Sequence, residues 1–160
     1  MLLLLEGIAM CFWLLLICVV LIKDGAVGGV VFYEEDVKQR VVELGLIIEE
    51  EIRKRSLVSS LALFVPVLFL VPWLVYHVNG ASGFPDAFRQ MTMIYMIMNL
   101  FDRIFIDWYW VGRTKAWIIP GTEDLMPYIP RKALIRKWLG TCIGFPLLAA
   151  IIAGIVEFVF

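Results

Sequence analysis

The chain has a single histidine, His77, and only three cysteines, Cys11, Cys18 and Cys142, in 160 residues. None falls at the Cys/His spacing of a structural metal site, and each cysteine sits in an apolar stretch, where it reads as a small buried hydrophobe. No metal or cofactor is therefore expected. Charge is scarce as well: 18% of residues are charged, 62% are hydrophobic, and the net charge is −1. So balanced a chain offers nothing to nucleic acid or to a strongly charged partner. Its apolar content lies well above the ~45–50% of soluble domains, with a mean hydropathy of +0.89. Those values describe a protein that lives in a bilayer.

A helix that crosses ~30 Å of hydrocarbon at ~1.5 Å per residue needs about 20 mostly apolar residues. Four stretches reach that length: residues 2–22, 57–78, 91–111 and 138–160. The first carries one charge, Glu6, and the second contains Pro66 and Pro72. The third holds Asp102, Arg103 and Asp107, and the fourth has Glu157 near its end. The expected fold is all-α, a polytopic bundle of four transmembrane helices in one domain covering residues 1–160. Prolines 66 and 72 should free the carbonyls of Ala62 and Leu68 and kink the second span.

Basic residues set the orientation. Lys23, Lys38, Arg40, Arg53, Lys54 and Arg55 lie between the first two spans, and Arg113, Lys115, Arg131, Lys132, Arg136 and Lys137 between the last two. The short connection from Asn79 to Gln90 has only Arg89. Positive charge stays inside, so both long connections should be cytoplasmic, facing anionic headgroups, and both termini outside. A cleaved leader is not expected at the first span, which lacks a basic start and contains Glu6. Removing it at Ala26-Val27-Gly28 would also turn the last basic connection outward.

After a flexible turn at Gly25–Gly29, residues 34–55 show helical periodicity, with Val37, Val41, Leu44, Ile48 and Ile52 on one stripe. Acids precede bases by four residues at Glu34/Lys38, Asp36/Arg40, Glu49/Arg53, Glu50/Lys54 and Glu51/Arg55, the favourable order. A cytoplasmic amphipathic helix is expected there, running into the second span. Its stripe would rest on headgroups, on the last connection, or on a protein partner. In the last connection, Pro120-Gly121 suits the centre of a type II turn. Thr122 would cap a short turn that starts with Glu123 and Asp124. Trp117, Tyr128 and Trp138 suit a membrane–water boundary.

The residues that carry chemistry lie in the third span. Asn99, Asp102 and Arg103 are spaced i, i+3 and i+4, with Asp107 one turn beyond Arg103. An ionisable group there costs at least ~2.5–3.5 kcal/mol to insert, so it should face the bundle and have a partner. Two carboxylates around one guanidinium sum to −1, and a proton on Asp102 would restore neutrality. The group reads as an internal salt bridge, as a proton or ion relay, or as snorkelling at an interface marked by Trp108, Tyr109 and Trp110. Glu6, His77 and Glu157 form a second polar group toward the outer face. They are more simply hydrogen-bonded interfacial residues than metal ligands.

Asn99-Leu100-Phe101-Asp102-Arg103 resembles the Asn-x-x-Asp-Arg stretch of lipoprotein signal peptidases, four-helix proteins with a catalytic aspartate pair. This sequence departs from that family: its second aspartate is too close, the Asn/Gly-rich motif is missing, and Asp107 lies toward the cytoplasm. Asp107-Trp108 followed by Ile119-Pro120-Gly121-Thr122-Glu123 resembles a stretch in uncharacterised small bacterial four-helix integral membrane proteins. That resemblance covers about a sixth of the chain and implies a bacterial plasma membrane, with no activity attached. Three function classes follow. The first is a small membrane subunit or helper acting through helix–helix and cytoplasmic contacts, with a homo-oligomer or a membrane complex as partner. The others are an oligomeric permeation protein using the third-span charges and a membrane-embedded enzyme on lipid or peptide.

Overall fold

A computed structural model describes residues 1–159, so Phe160, the end of the fourth expected span, lies outside the described residues. Helix α1 covers Leu2–Ile22, and a 3-10 turn follows at Ala26–Phe32. Helix α2 covers Glu35–Glu43, and α3 runs unbroken over Glu49–Val78. Helix α4 is α-helical over Gly83–Phe101 and continues in π geometry over Asp102–Val111. Short 3-10 turns at Lys115–Trp117 and Glu123–Leu125 lead to α5, Arg131–Val159. No strand occurs among the described residues.

Three helices, α1, α3 and α5, are long and apolar enough to cross a membrane. The least apolar long helix, α4, is the one the others enclose. Its Ala87, Met91, Ile94, Tyr95 and Met98 are buried in one core with Met10, Leu14 and Cys18 of α1, Val67, Val71 and Val75 of α3, and Ala149 and Ala153 of α5. The enclosing helices turn Phe12, Phe69, Leu147, Ile151 and Ile155 outward, all exposed. In water each such side chain would forgo roughly 25 cal/mol per Å² of apolar surface. Hydrocarbon removes that cost, and it sends the charges of α4 to the inside.

The ends of the helices sort into two groups. Asn79 Nδ2 donates to Glu6 Oε2 at 2.9 Å, joining the start of α1 to the end of α3. Glu157 Oε1 lies 3.9 Å from where a Cβ on Gly83 would sit, joining α5 to the start of α4. Both chain ends and the short connection therefore share one end of the bundle, and both long connections share the other.

Two local expectations are corrected. The helix expected over residues 34–55 is two helices, broken after Glu43. Gly45 takes φ +68 and closes a Schellman cap, with Leu46 N donating to Val41 O (3.1 Å) and Gly45 N to Val42 O (2.9 Å). The break changes the stripe: Val37, Val41 and Ile52 are buried as expected, but Ile47 goes inside while Leu44 and Ile48 stay exposed. Glu49, Glu50 and Glu51 then start α3, where the helix dipole favours acids. Residues 26–32 are a packed 3-10 turn rather than a flexible one, with Gly28, Gly29, Val30 and Val31 buried. Trp117 and Tyr128 turn toward the protein interior. Both are buried, and Trp117 meets Trp110 edge-on at 5.1 Å.

Candidate functional site

The polar residues of α4 come together with one that the sequence reading assigned elsewhere. Arg103 Nη1 donates to Asp107 Oδ2, and Arg103 Nη2 donates to Asp102 Oδ2. Lys137 Nζ, from the first turns of α5, donates to Asp107 Oδ1 at 2.7 Å. Side-chain exposure is 7% for Arg103, 4% for Asp107, 20% for Asp102 and 29% for Lys137. With Lys137 included, two acids face two bases and the fully ionised cluster is neutral. A proton on Asp102 is not required. The sequence contained a signal for this: after Pro130 a helix can restart at Arg131 and lead into the fourth span, carrying Lys137 with it. Basic residues at that boundary read more simply as headgroup contacts, and the pairing was missed.

Asn99 does not join the cluster. Its Nδ2 donates to the Tyr95 carbonyl of its own helix at 2.9 Å. Tyr95 reaches across to α3 instead, and its hydroxyl donates to Val67 O at 2.7 Å. That carbonyl is free for a definite reason. α3 is π-helical over Pro66–Leu70, with Val71 N donating to Pro66 O. In that register the partner of Val67 O would be residue 72, a proline without an N–H. The Ala62 carbonyl, freed by Pro66 as expected, accepts from Trp13 Nε1 of α1 at 2.8 Å. The proline positions thus appear as two inter-helix bonds, with Val67 rather than Leu68 as the second acceptor.

The second polar group is not assembled. Glu6 is held by Asn79, which the sequence reading did not single out. His77 is exposed and stacks on Trp73 at 5.9 Å, and Glu157 is exposed beside Gly83. No group of three or more metal-ligating side chains occurs among the described residues.

The Pro120-Gly121 turn forms as expected, with Gly121 at φ +86 and Thr122 N donating to Ile119 O at 3.2 Å. Thr122 makes no side-chain cap on the following turn, a correction to the sequence reading. Its hydroxyl is fully buried, donates back to Ile119 O (2.9 Å) and lies 2.6 Å from Tyr128 Oη. Tyr128 Oη also accepts from Ile119 N at 3.0 Å, while Glu123 Oε2 accepts from Gly121 N at 2.8 Å. Tyr33, 4.5 Å from the Tyr128 ring, donates to Trp117 O at 3.3 Å. Burial, reinforced by Tyr128, pushes the Tyr33 phenol well above its ordinary range, so it remains a donor. This network fixes the last connection against the first.

Chemically, the cluster is occupied with itself. Both carboxylate oxygens of Asp107 are engaged by Arg103 and Lys137, and a general base must be free to reach its substrate. A pocket of about 250 Å³ lies beside Asp107, between the π-helical end of α4 and residues 126–129. Arg113 is drawn over the Trp108 ring at 4.0 Å and also lines it. The architecture is an all-helical bundle in which three membrane-length helices enclose a fourth that carries the ion pairs. No family model, curated protein or solved structure matches the chain.

Proposed function

We propose that the chain is an integral membrane protein of four spans, α4 being the fourth, and that it acts as a small membrane subunit or helper through helix–helix and cytoplasmic contacts. The closure of the charge cluster carries this reading. Asp102, Arg103, Asp107 and Lys137 are joined to one another, so their role is to lock α4 to α5. The basic residues, concentrated at the end of the bundle with the long connections, support cytoplasmic connections on anionic headgroups and external termini. The Asp107-Trp108 and Ile119–Glu123 resemblance supports a bacterial plasma membrane. At the cytoplasmic end, Glu34 pairs with Arg136 (3.0 Å) and Arg40 with Asp124 (3.4 Å), around the buried Tyr33, Trp117 and Tyr128. That platform presents Leu44, Leu46 and Ile48 at its tip, all exposed. A second copy or another membrane protein would dock there.

Complementation of cells lacking the gene tests this reading. Joint replacement of Asp102, Arg103, Asp107 and Lys137 by apolar residues should leave function intact, whereas Leu46→Glu with Ile48→Glu should abolish it without unfolding the protein. Purified chain in vesicles should carry no proton or ion current. One observation favours oligomeric permeation instead: Asp102 keeps 20% exposure at the edge of the cluster. A current lost in Asp107→Asn would establish that second reading and sink the first.

A further inference from the structure

Away from the charge cluster, α1 and the first half of α3 diverge and leave an apolar groove of about 690 Å³. Its walls include Trp13, Ile17 and Leu21 on α1, and Val58, Ser59 and Ala62 on α3. The inner end is closed by the Trp13 Nε1 to Ala62 O bond. From Trp13 to Leu21 helix α1 rises ~12 Å, a little under half of the ~30 Å hydrocarbon core. The groove is therefore one leaflet deep, opening at the charged end of α3. A crevice of this kind on two membrane-length helices has the shape and polarity to take an acyl chain.

The mouth decides which lipid. Glu50, Glu51, Lys54 and Arg55 ring it, two of each sign. Arg55 and Glu51 satisfy each other at 2.5 Å. Glu50 and Lys54, one turn apart and both exposed, have no ion-pair or hydrogen-bonding partner among the described residues. An unpaired cation beside an unpaired carboxylate complements a phosphate next to an ammonium. A purely anionic headgroup would leave Glu50 unmatched and repelled. A quaternary ammonium cannot donate a hydrogen bond to it. We propose that this groove is a specific site for a phospholipid with a primary-amine headgroup, one acyl chain between α1 and α3, phosphate on Lys54 and ammonium on Glu50. The inference rests on the membrane reading above and is independent of the docking role.

The full chain, reconstituted in nanodiscs holding equal parts of phosphatidylethanolamine, phosphatidylcholine and phosphatidylglycerol, is examined by native mass spectrometry. The native protein should retain the ethanolamine lipid several-fold over the other two. Val58→Trp, which fills the groove, should remove the retained lipid. Glu50→Gln with Lys54→Gln, on exposed helix surface, should keep a lipid but lose the headgroup preference. Equal retention of all three lipids by the native protein, or preference for the choline or glycerol lipid, would overturn the proposal. So would unchanged ethanolamine preference in the Glu50/Lys54 variant, which decides the matter even if Val58→Trp does not fold. Failure to insert in membranes at all would overturn the membrane reading instead, and fractionation of cells reveals that separately.

Discussion

Asp107 accepts from Arg103 and Lys137 at once, and this makes it the residue on which the cluster depends. Removing one member of a buried pair costs about 3–5 kcal/mol, because the partner is left charged and dry. Asp107→Leu leaves Lys137 without a partner and Arg103 with Asp102 alone, so it should be the most destabilising single change in the cluster. Arg103→Leu should come second. Lys137→Met should be milder, since Lys137 is 29% exposed and water still reaches it. The combination Arg103→Leu with Asp107→Leu should lose less than the two single losses added together. A double-mutant cycle on unfolding in detergent measures this coupling. Strict additivity would mean that the two side chains act independently.

At the scale of the element, α3 shows how a helix with two prolines remains one helix. Its π-helical turns leave the Val67 carbonyl without a main-chain donor, and Tyr95 supplies one at 2.7 Å. Tyr95→Phe should therefore destabilise the bundle by about 1–3 kcal/mol, the usual effect of a buried group left unpaired. The same substitution should cost less in a Pro72→Ala background, because residue 72 then carries an N–H that can serve Val67. Thermal unfolding of the four proteins decides the matter. An equal loss from Tyr95→Phe in both backgrounds would show that the hydroxyl acts through packing alone.

For the molecule as a whole, the shared location of both chain ends and the short connection makes the orientation a single choice between two states. Counting charges supports the proposed one, with the long connections inside. Single cysteines at Ala81 and at Thr114, in a background without Cys11, Cys18 and Cys142, should label differently with an impermeant thiol reagent on intact cells. Position 81 should react and position 114 should not. The reverse pattern would invert the topology, place the platform of Tyr33, Trp117 and Tyr128 outside, and remove the cytoplasmic docking surface with it.

The all-helical class and three membrane-length helices were legible from the sequence alone, because hydrophobic length is a local property that every residue of a stretch reports. The same holds for the Pro120-Gly121 turn, whose geometry depends on the residues that form it. The Arg103–Asp107 pair was legible for a similar reason: one helical turn separates them. The tertiary structure decided everything that depends on residues far apart in the chain. Lys137 meets Asp107 only because α5 packs on α4, and that contact brings the cluster from −1 to zero. Trp13 and Tyr95 find the freed carbonyls of α3 across helix–helix contacts that no periodicity encodes. Likewise, the stripe of Val37 and Val41 breaks at Gly45, whose left-handed φ closes α2 and lets the chain turn into α3. Periodicity measures how apolar side chains repeat along a helix, not whether the helix continues. A long-range partner is specified by the packing of whole helices, and a single chain read in order contains that information only implicitly.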